Sequence, residues 1–153
     1  MRATRDEEMQ VLLEGHGARV SIGVGGFENR LAENIDDATW LSCDLVVSVP
    51  GFRAEFPASF RTHDFVTFRA LLADLIEGRT KTVAFSAAER ALRLDVTLTP
   101  RGHVRVHGIA SFSSTCDAEL SFRFDADLTF LRETFNQISD IVGAIETDRG
   151  ENV

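Results

Sequence analysis

From residue 40 onward most of the chain is written in period two. In "LSCDLVVSV" the residues Leu41, Cys43, Leu45, Val47 and Val49 fall on one side of an extended strand. A Pro-Gly pair at 50–51 signals a turn. In "FRAEFPASF" the residues Phe52, Ala54, Phe56, Ala58 and Phe60 then share one face, which completes a hairpin. Pro57 has no amide donor, so it predicts an edge strand or a bulge. The period next changes. Phe65, Phe68, Leu71, Leu72, Leu75 and Ile76 recur at helical spacing, with Thr62 placed to cap, Asp64 in the first turn and Gly78 at the end. Strands resume with "KTVAFSA" at 81–87, "RALRLDVTL" at 90–98, "HVRVHGIASF" from 103 and "CDAELSFRF" at 116–124. A long helix from about Asp127 to Ile145 closes the series, with Leu128, Leu131, Phe135, Ile138, Val142 and Ile145 as its apolar stripe. Ahead of residue 40 the alternation is weaker. "ARVSIGV" at 18–24 reads as a strand broken by two glycines, and 28–38 reads as a polar surface loop.

Short turns join neighbouring strands, so these should pair antiparallel. Each strand has one apolar and one polar side, so one sheet face meets water and the helices cover the other. The expected class is therefore α+β. The expected architecture is a two-layer sandwich, with one antiparallel meander sheet of six to seven strands and two helices on one face. At 153 residues one domain is expected, with an N-terminal strand and acidic loop over 1–39, a core over 40–147 and a tail over 148–153. No repeat at a fixed period is visible.

Composition narrows the function classes. No apolar run approaches the roughly 20 residues of a membrane helix, and the charged N-terminus lacks a signal-peptide core, so a cytoplasmic protein without a membrane partner is expected. Cys43 and Cys116 both fall on apolar sides of expected strands and are read as buried thiols. The net charge of −8 is uneven: −4 over residues 1–37, +2 over 38–116 and −6 over 117–153. Phosphate binding needs a basic face, so nucleic acid is not the expected partner. Acidic ends permit a basic protein partner, although such acidity more often serves solubility alone.

The most conspicuous short stretch is "GHVRVHG" at 102–108. On a strand, His103, Arg105 and His107 share the polar side opposite Val104 and Val106. Residues four apart on a strand lie about 13 Å apart, too far for two imidazoles to meet at one metal ion. Arg93, Asp95, Glu119, Arg123 and Asp125 are expected on the same face, joined by Arg53 and Glu55 from the first hairpin. A cross-strand His–Asp base is conceivable there, but no nucleophile is paired with it. Mixed charge that keeps an open sheet solvated is the simpler explanation. Neither metal, cofactor nor catalytic group is assigned. The Phe-rich faces are at core spacing, and Trp40 is read as an aromatic anchor or a residue at the core's edge.

The words "WLSCDLVVSVPGFRAEFPASFRTHDFVTFRALLADL", "RLDVTLTPRGHVRVHG" and "LSFRFDADLTFL", followed by the final helix, resemble the WapI-like immunity family of small bacterial proteins. The recurring features are a "WL" strand start, a "GF…F" strand, a "T…F…L" helix and a "GH" strand, over about two thirds of the chain. The resemblance implies a non-enzymatic inhibitor that binds and neutralises a cognate toxin domain, often a nuclease. On that reading the acidic C-terminal side chains Asp140, Glu146, Asp148 and Glu151, with Trp40, form the expected contact surface. The polar sheet face with Glu55, Arg93, Asp95, His103, Arg105, His107, Glu119 and Arg123 is the alternative. It would equally serve a small enzyme or ligand-binding protein. An unpaired edge strand leaves pairing with a second copy open.

Overall fold

The computed structural model describes residues 9–27, 40–87 and 89–151, with only the backbone described for Phe27 and 147–151. The expected loop at 28–38 lies outside these residues. The elements run β1 (Gln10–Gly15), β2 (Ala18–Phe27), β3 (Trp40–Val49), β4 (Phe52–Arg61), α1 (Thr62–Ile76), β5 (Thr82–Ser86), β6 (Leu92–Leu98), β7 (His103–Ser113), β8 (Asp117–Asp127) and α2 (Leu128–Glu151). Four strands and a helix thus occur twice in succession. This repeat of element order has no counterpart in residue spacing, so the sequence pattern does not reveal it.

The α+β class and the antiparallel hairpins are as expected, but the single sheet is not. Among the described residues the strands form two four-stranded meanders, β1-β2-β3-β4 and β5-β6-β7-β8. Local patterning fixes which strands neighbour one another across a turn. It carries no information on whether strands separated by a helix also pair, and here α1 divides them. β1 is an additional strand that alternation misses, because Leu12 is apolar on its outward side. The glycines at 25–26 do not end β2 either. The register shifts between Val24 and Gly26, and β2 continues to Phe27 opposite Leu41. Gly26 has φ +149°, and a Cβ on Gly25 would lie 3.0 Å from the Ser42 carbonyl oxygen, so this bulge needs both glycines. Pro57 lies on β4, an edge strand of the first sheet, opposite Asp44.

One continuous apolar cluster joins both sheets and both helices. Phe60, Phe65, Phe68, Leu72 and Leu75 anchor it from the β4–α1 side, and Leu131 and Ile138 from α2. Each such side chain contributes roughly 1.5–3 kcal/mol on burial. Phe68 of α1 stacks on Phe85 of β5 at 4.5 Å, and Phe56 of β4 stacks on Phe112 of β7 at 4.9 Å, so aromatic pairs tie the two repeats together. Gly15 makes a closer tie. A Cβ there would collide with the Asp125 carbonyl oxygen and the Phe124 ring, and the neighbouring His16 amide donates to that same carbonyl at 2.9 Å.

α1 and α2 pack on each other, and α2 lies against β1. The cap of α1 is Arg61 rather than Thr62: the Arg61 amide donates to the Asp64 carboxylate at 2.8 Å. At its other end Gly78, at φ +79°, donates to Leu75, and Arg79 donates to the Asp74 carbonyl, which closes the helix with a left-handed turn. The Asp127 carboxylate accepts the Phe130 amide and so caps α2, which continues past Ile145 to Glu151. Among the described residues no helix is long and apolar enough to cross a membrane.

Candidate functional site

The outward face of the second sheet is the best-defined polar surface. β7 alternates strictly from His103 to Ala110, with His103, Arg105, His107 and Ile109 outward and Val104, Val106, Gly108 and Ala110 buried. The strand reading of "GHVRVHG" therefore holds. Register then builds rows across the sheet. Asp95 of β6, His107 of β7 and Arg123 of β8 form one row, and Thr97, Arg105 and Asp125 the next. Neighbouring strands lie about 4.8 Å apart, so each row brings an acid, a base and a polar neighbour into reach. Arg105 pairs with Asp125 at 3.2 Å and Arg93 with Asp95 at 3.8 Å, all with roughly half their side-chain surface in water. Solvent screens such pairs, so they set register more than they stabilise.

Several groups on this face already have roles. His103 stands opposite Asp127, whose carboxylate is engaged in capping α2. The Ser113 and Ser111 hydroxyls lie within hydrogen-bonding distance of Asp117 and Glu119, so the serines of the face meet carboxylates rather than an imidazole. His103, Arg105 and Asp125 line a shallow depression with Thr99, Pro100 and Arg101. Arg93, Asp95, Glu119 and Arg123 lie on this face as expected. Arg53 and Glu55 do not: they sit on β4 of the other sheet, where they pair with each other at 3.1 Å. The expected assembly of both hairpins on one surface fails because the sheet is two sheets.

Of the acidic side chains, Asp140 and Glu146 are exposed on α2 six positions apart, which places them about 120° apart around the helix. Asp148 and Glu151 lie in its last turns, beyond the described side chains. α2 runs antiparallel to β1: Phe130 meets His16, while Thr134 and Gln137 meet Leu12. Trp40 begins β3 as expected, half-buried with the Arg61 guanidinium 4.9 Å above its ring, which suits a residue at the core's edge. Cys43 is buried, but Cys116 is exposed in the β7–β8 turn, because the strand it was assigned to begins only at Asp117.

Two residues read as core turn out to face water. Phe52 is 66% exposed and Phe112 is 37% exposed. Their positions carry a signal that face-counting overlooks: Phe52 directly follows the Pro-Gly turn, and Phe112 precedes "SST" at the end of β7. Hairpin ends can overrun the layer that covers their middles.

Comparison with known proteins agrees in one respect beyond the fold. Residues 11–146 match the family described as the immunity protein WapI-like family. The match takes in β1 and β2, which the resemblance read from residue 40 onward leaves out. No curated relative matches the sequence. Among solved structures, the chain is similar to Trypanosoma brucei MRP1/MRP2, at 11% identity and a TM-score of 0.47, over 99% of this chain and 94% of that one.

Proposed function

The chain belongs to the WapI-like immunity family, and from that premise we propose that it binds and neutralises a cognate bacterial toxin domain without catalysing a reaction itself. The family match over nearly the whole chain carries this reading. The charge layout supports a basic target. Nuclease sites are basic because their substrate is anionic, and a chain of net charge −8 with its acids concentrated at the two ends is drawn to such a site at high rate. On this account Asp140 and Glu146, with Asp148 and Glu151 in the same helix, act as a steering field. They need not converge on one contact.

The alternative is a small enzyme or ligand-binding protein on the second sheet's polar face, and the Asp95–His107–Arg123 row is the observation in its favour. The two readings separate cleanly by experiment. The purified chain is mixed with the proposed cognate toxin domain, sought first among the products of neighbouring genes, and complex formation and toxin activity are measured. A stoichiometric complex that silences the toxin is expected. It should survive His103→Ala/His107→Ala, which would disable a catalytic or ligand-binding face. A toxin that remains fully active in excess of this chain would overturn the proposal.

A further inference from the structure

We propose that the chain self-associates through the free edge of β5, which pairs antiparallel with β5 of a second copy and joins their second sheets into one. A sheet exposes unpaired backbone on its outermost strands, and folds normally close or spoil such edges. Here β1 and β4 flank the first sheet, and β5 and β8 the second. α2 supplies polar partners to Leu12 on the β1 edge. β4 carries Pro57 in mid-strand. On β8 the Asp125 carbonyl receives the His16 amide, and Asp117, Glu119, Arg123 and Asp125 line the strand's outward side. β5 reads "TVAFS" and has neither proline nor charge. α1 meets it through Phe68, which stacks on the buried ring of Phe85, an apolar contact on the covered side of the sheet rather than a polar one along its edge. Its shortness is the restraint that β5 does carry.

Backbone direction selects the pairing. The Lys81 carbonyl accepts the Leu98 amide, and the Ala87 amide donates to Leu92. In an antiparallel ladder such pairs recur at alternate residues, so Val83 and Phe85 also bond β6, while the amides and carbonyls of Thr82, Ala84 and Ser86 point away from it. The side chains of Thr82, Ala84 and Ser86 are exposed. Thr82 is already served, because the Thr80 hydroxyl donates to its carbonyl at 3.0 Å. Ala84 and Ser86 remain. Within β5, the register that bonds both without disturbing Thr80 sets Ala84 of one chain against Ser86 of the other, with the twofold axis at Phe85. A second copy of this strand meets that condition with itself. The outward side chains brought together, Ala84 and Ser86, are small and neutral, so the net charge of −8 is not concentrated at the seam. The ends are complementary. Lys81 leads into β5 and Glu89 follows it, both exposed, and antiparallel pairing brings Lys81 of each copy to the Glu89 end of the other.

The test uses the full-length chain alone, with sedimentation equilibrium and amide hydrogen exchange read across concentration. A short strand pair makes a small interface, so dimers should appear at roughly 0.1 mM chain and above. The Ala84 and Ser86 amides should gain protection as concentration rises. Ala84→Pro removes an outward amide without touching the ladder to β6, and should abolish the dimer in a chain whose thermal melt shows it folded. Lys81→Glu changes only an exposed side chain. It should weaken dimerisation about tenfold, and Lys81→Glu/Glu89→Lys should restore it. A chain that stays monomeric at about 1 mM, or a dimer that persists in folded Ala84→Pro, would overturn the proposal. A dimer unaltered by Lys81→Glu would overturn the register. Protection of Ala84 and Ser86 that appears only when the cognate toxin domain is added would show that the edge receives a strand of that protein, and would overturn the second copy as its occupant. Failure of self-association leaves the toxin-binding reading untouched.

Discussion

Thr134→Val should destabilise the protein although it removes a single hydroxyl and keeps the side chain's shape. β1 is an edge strand of its sheet, so the Leu12 amide and carbonyl have no strand to pair with on their outward side. α2 supplies both partners. The Gln137 side-chain oxygen accepts the Leu12 amide at 2.7 Å, and the Thr134 hydroxyl donates to the Leu12 carbonyl at 2.7 Å. Thr134 is fully buried, so in the valine variant no water replaces its hydroxyl, and the carbonyl keeps only its desolvation. An acceptor stranded in this way costs about 1–3 kcal/mol. The Phe130 carbonyl, 3.0 Å from the same hydroxyl, belongs to the preceding helical turn and loses little. For a chain of this size each kcal/mol lowers Tm by about 2–4 °C. Urea unfolding should show a lower midpoint at constant slope, and Gln137→Met should accelerate exchange of the Leu12 amide. The two losses meet on one residue, so their double variant should depart from additivity. Stability within about 0.5 kcal/mol of wild type in Thr134→Val, with Leu12 still protected in Gln137→Met, would refute the idea that α2 completes this strand edge.

Gly15→Ala should cost more than a typical surface change, about 1–3 kcal/mol, because its Cβ meets the backbone of Asp125, which cannot rotate away; urea unfolding measures it. In Gly108→Ala the obstacle is the Phe122 ring on the neighbouring strand, so a smaller loss is expected, recovered in part by Phe122→Leu, and thermal melts of the single and double variants test this. Neutralising Asp140, Glu146 and Asp148 together should slow toxin association, with little change in dissociation, and only at ionic strengths where the Debye length exceeds about 8–10 Å. Stopped-flow rates across salt test this, and an effect on dissociation alone would count against steering.

Much of this fold can be read from period and punctuation. The hairpin at 41–60, the strict alternation through "HVRVH" and both amphipathic helices follow from local rules that tertiary contacts do not override. Three features escape them, each for a physical reason. Leu12 masks β1 because its outward side is apolar beside α2. The glycines at 25–26 punctuate a bulge rather than an end, since only the register with β3 distinguishes the two. The division into two sheets depends on which strands meet after α1, a long-range choice. The candidate surfaces share that limit. Strand alternation places His103, Arg105 and His107 on one side, but it cannot separate Glu55 from Asp95 without knowing the sheets. Nor does alternation report how far the covering layer extends, which is why Phe52 and Phe112 read as core.

The central claim is that this chain silences a toxin by binding it, and one titration tests it most directly. The activity of the proposed cognate toxin domain is measured against increasing amounts of the purified chain, at toxin concentrations well above the expected dissociation constant. The account predicts a linear fall to zero activity at one chain per toxin, with the same endpoint for His103→Ala/His107→Ala. Activity that persists through a severalfold excess of correctly folded chain would contradict it.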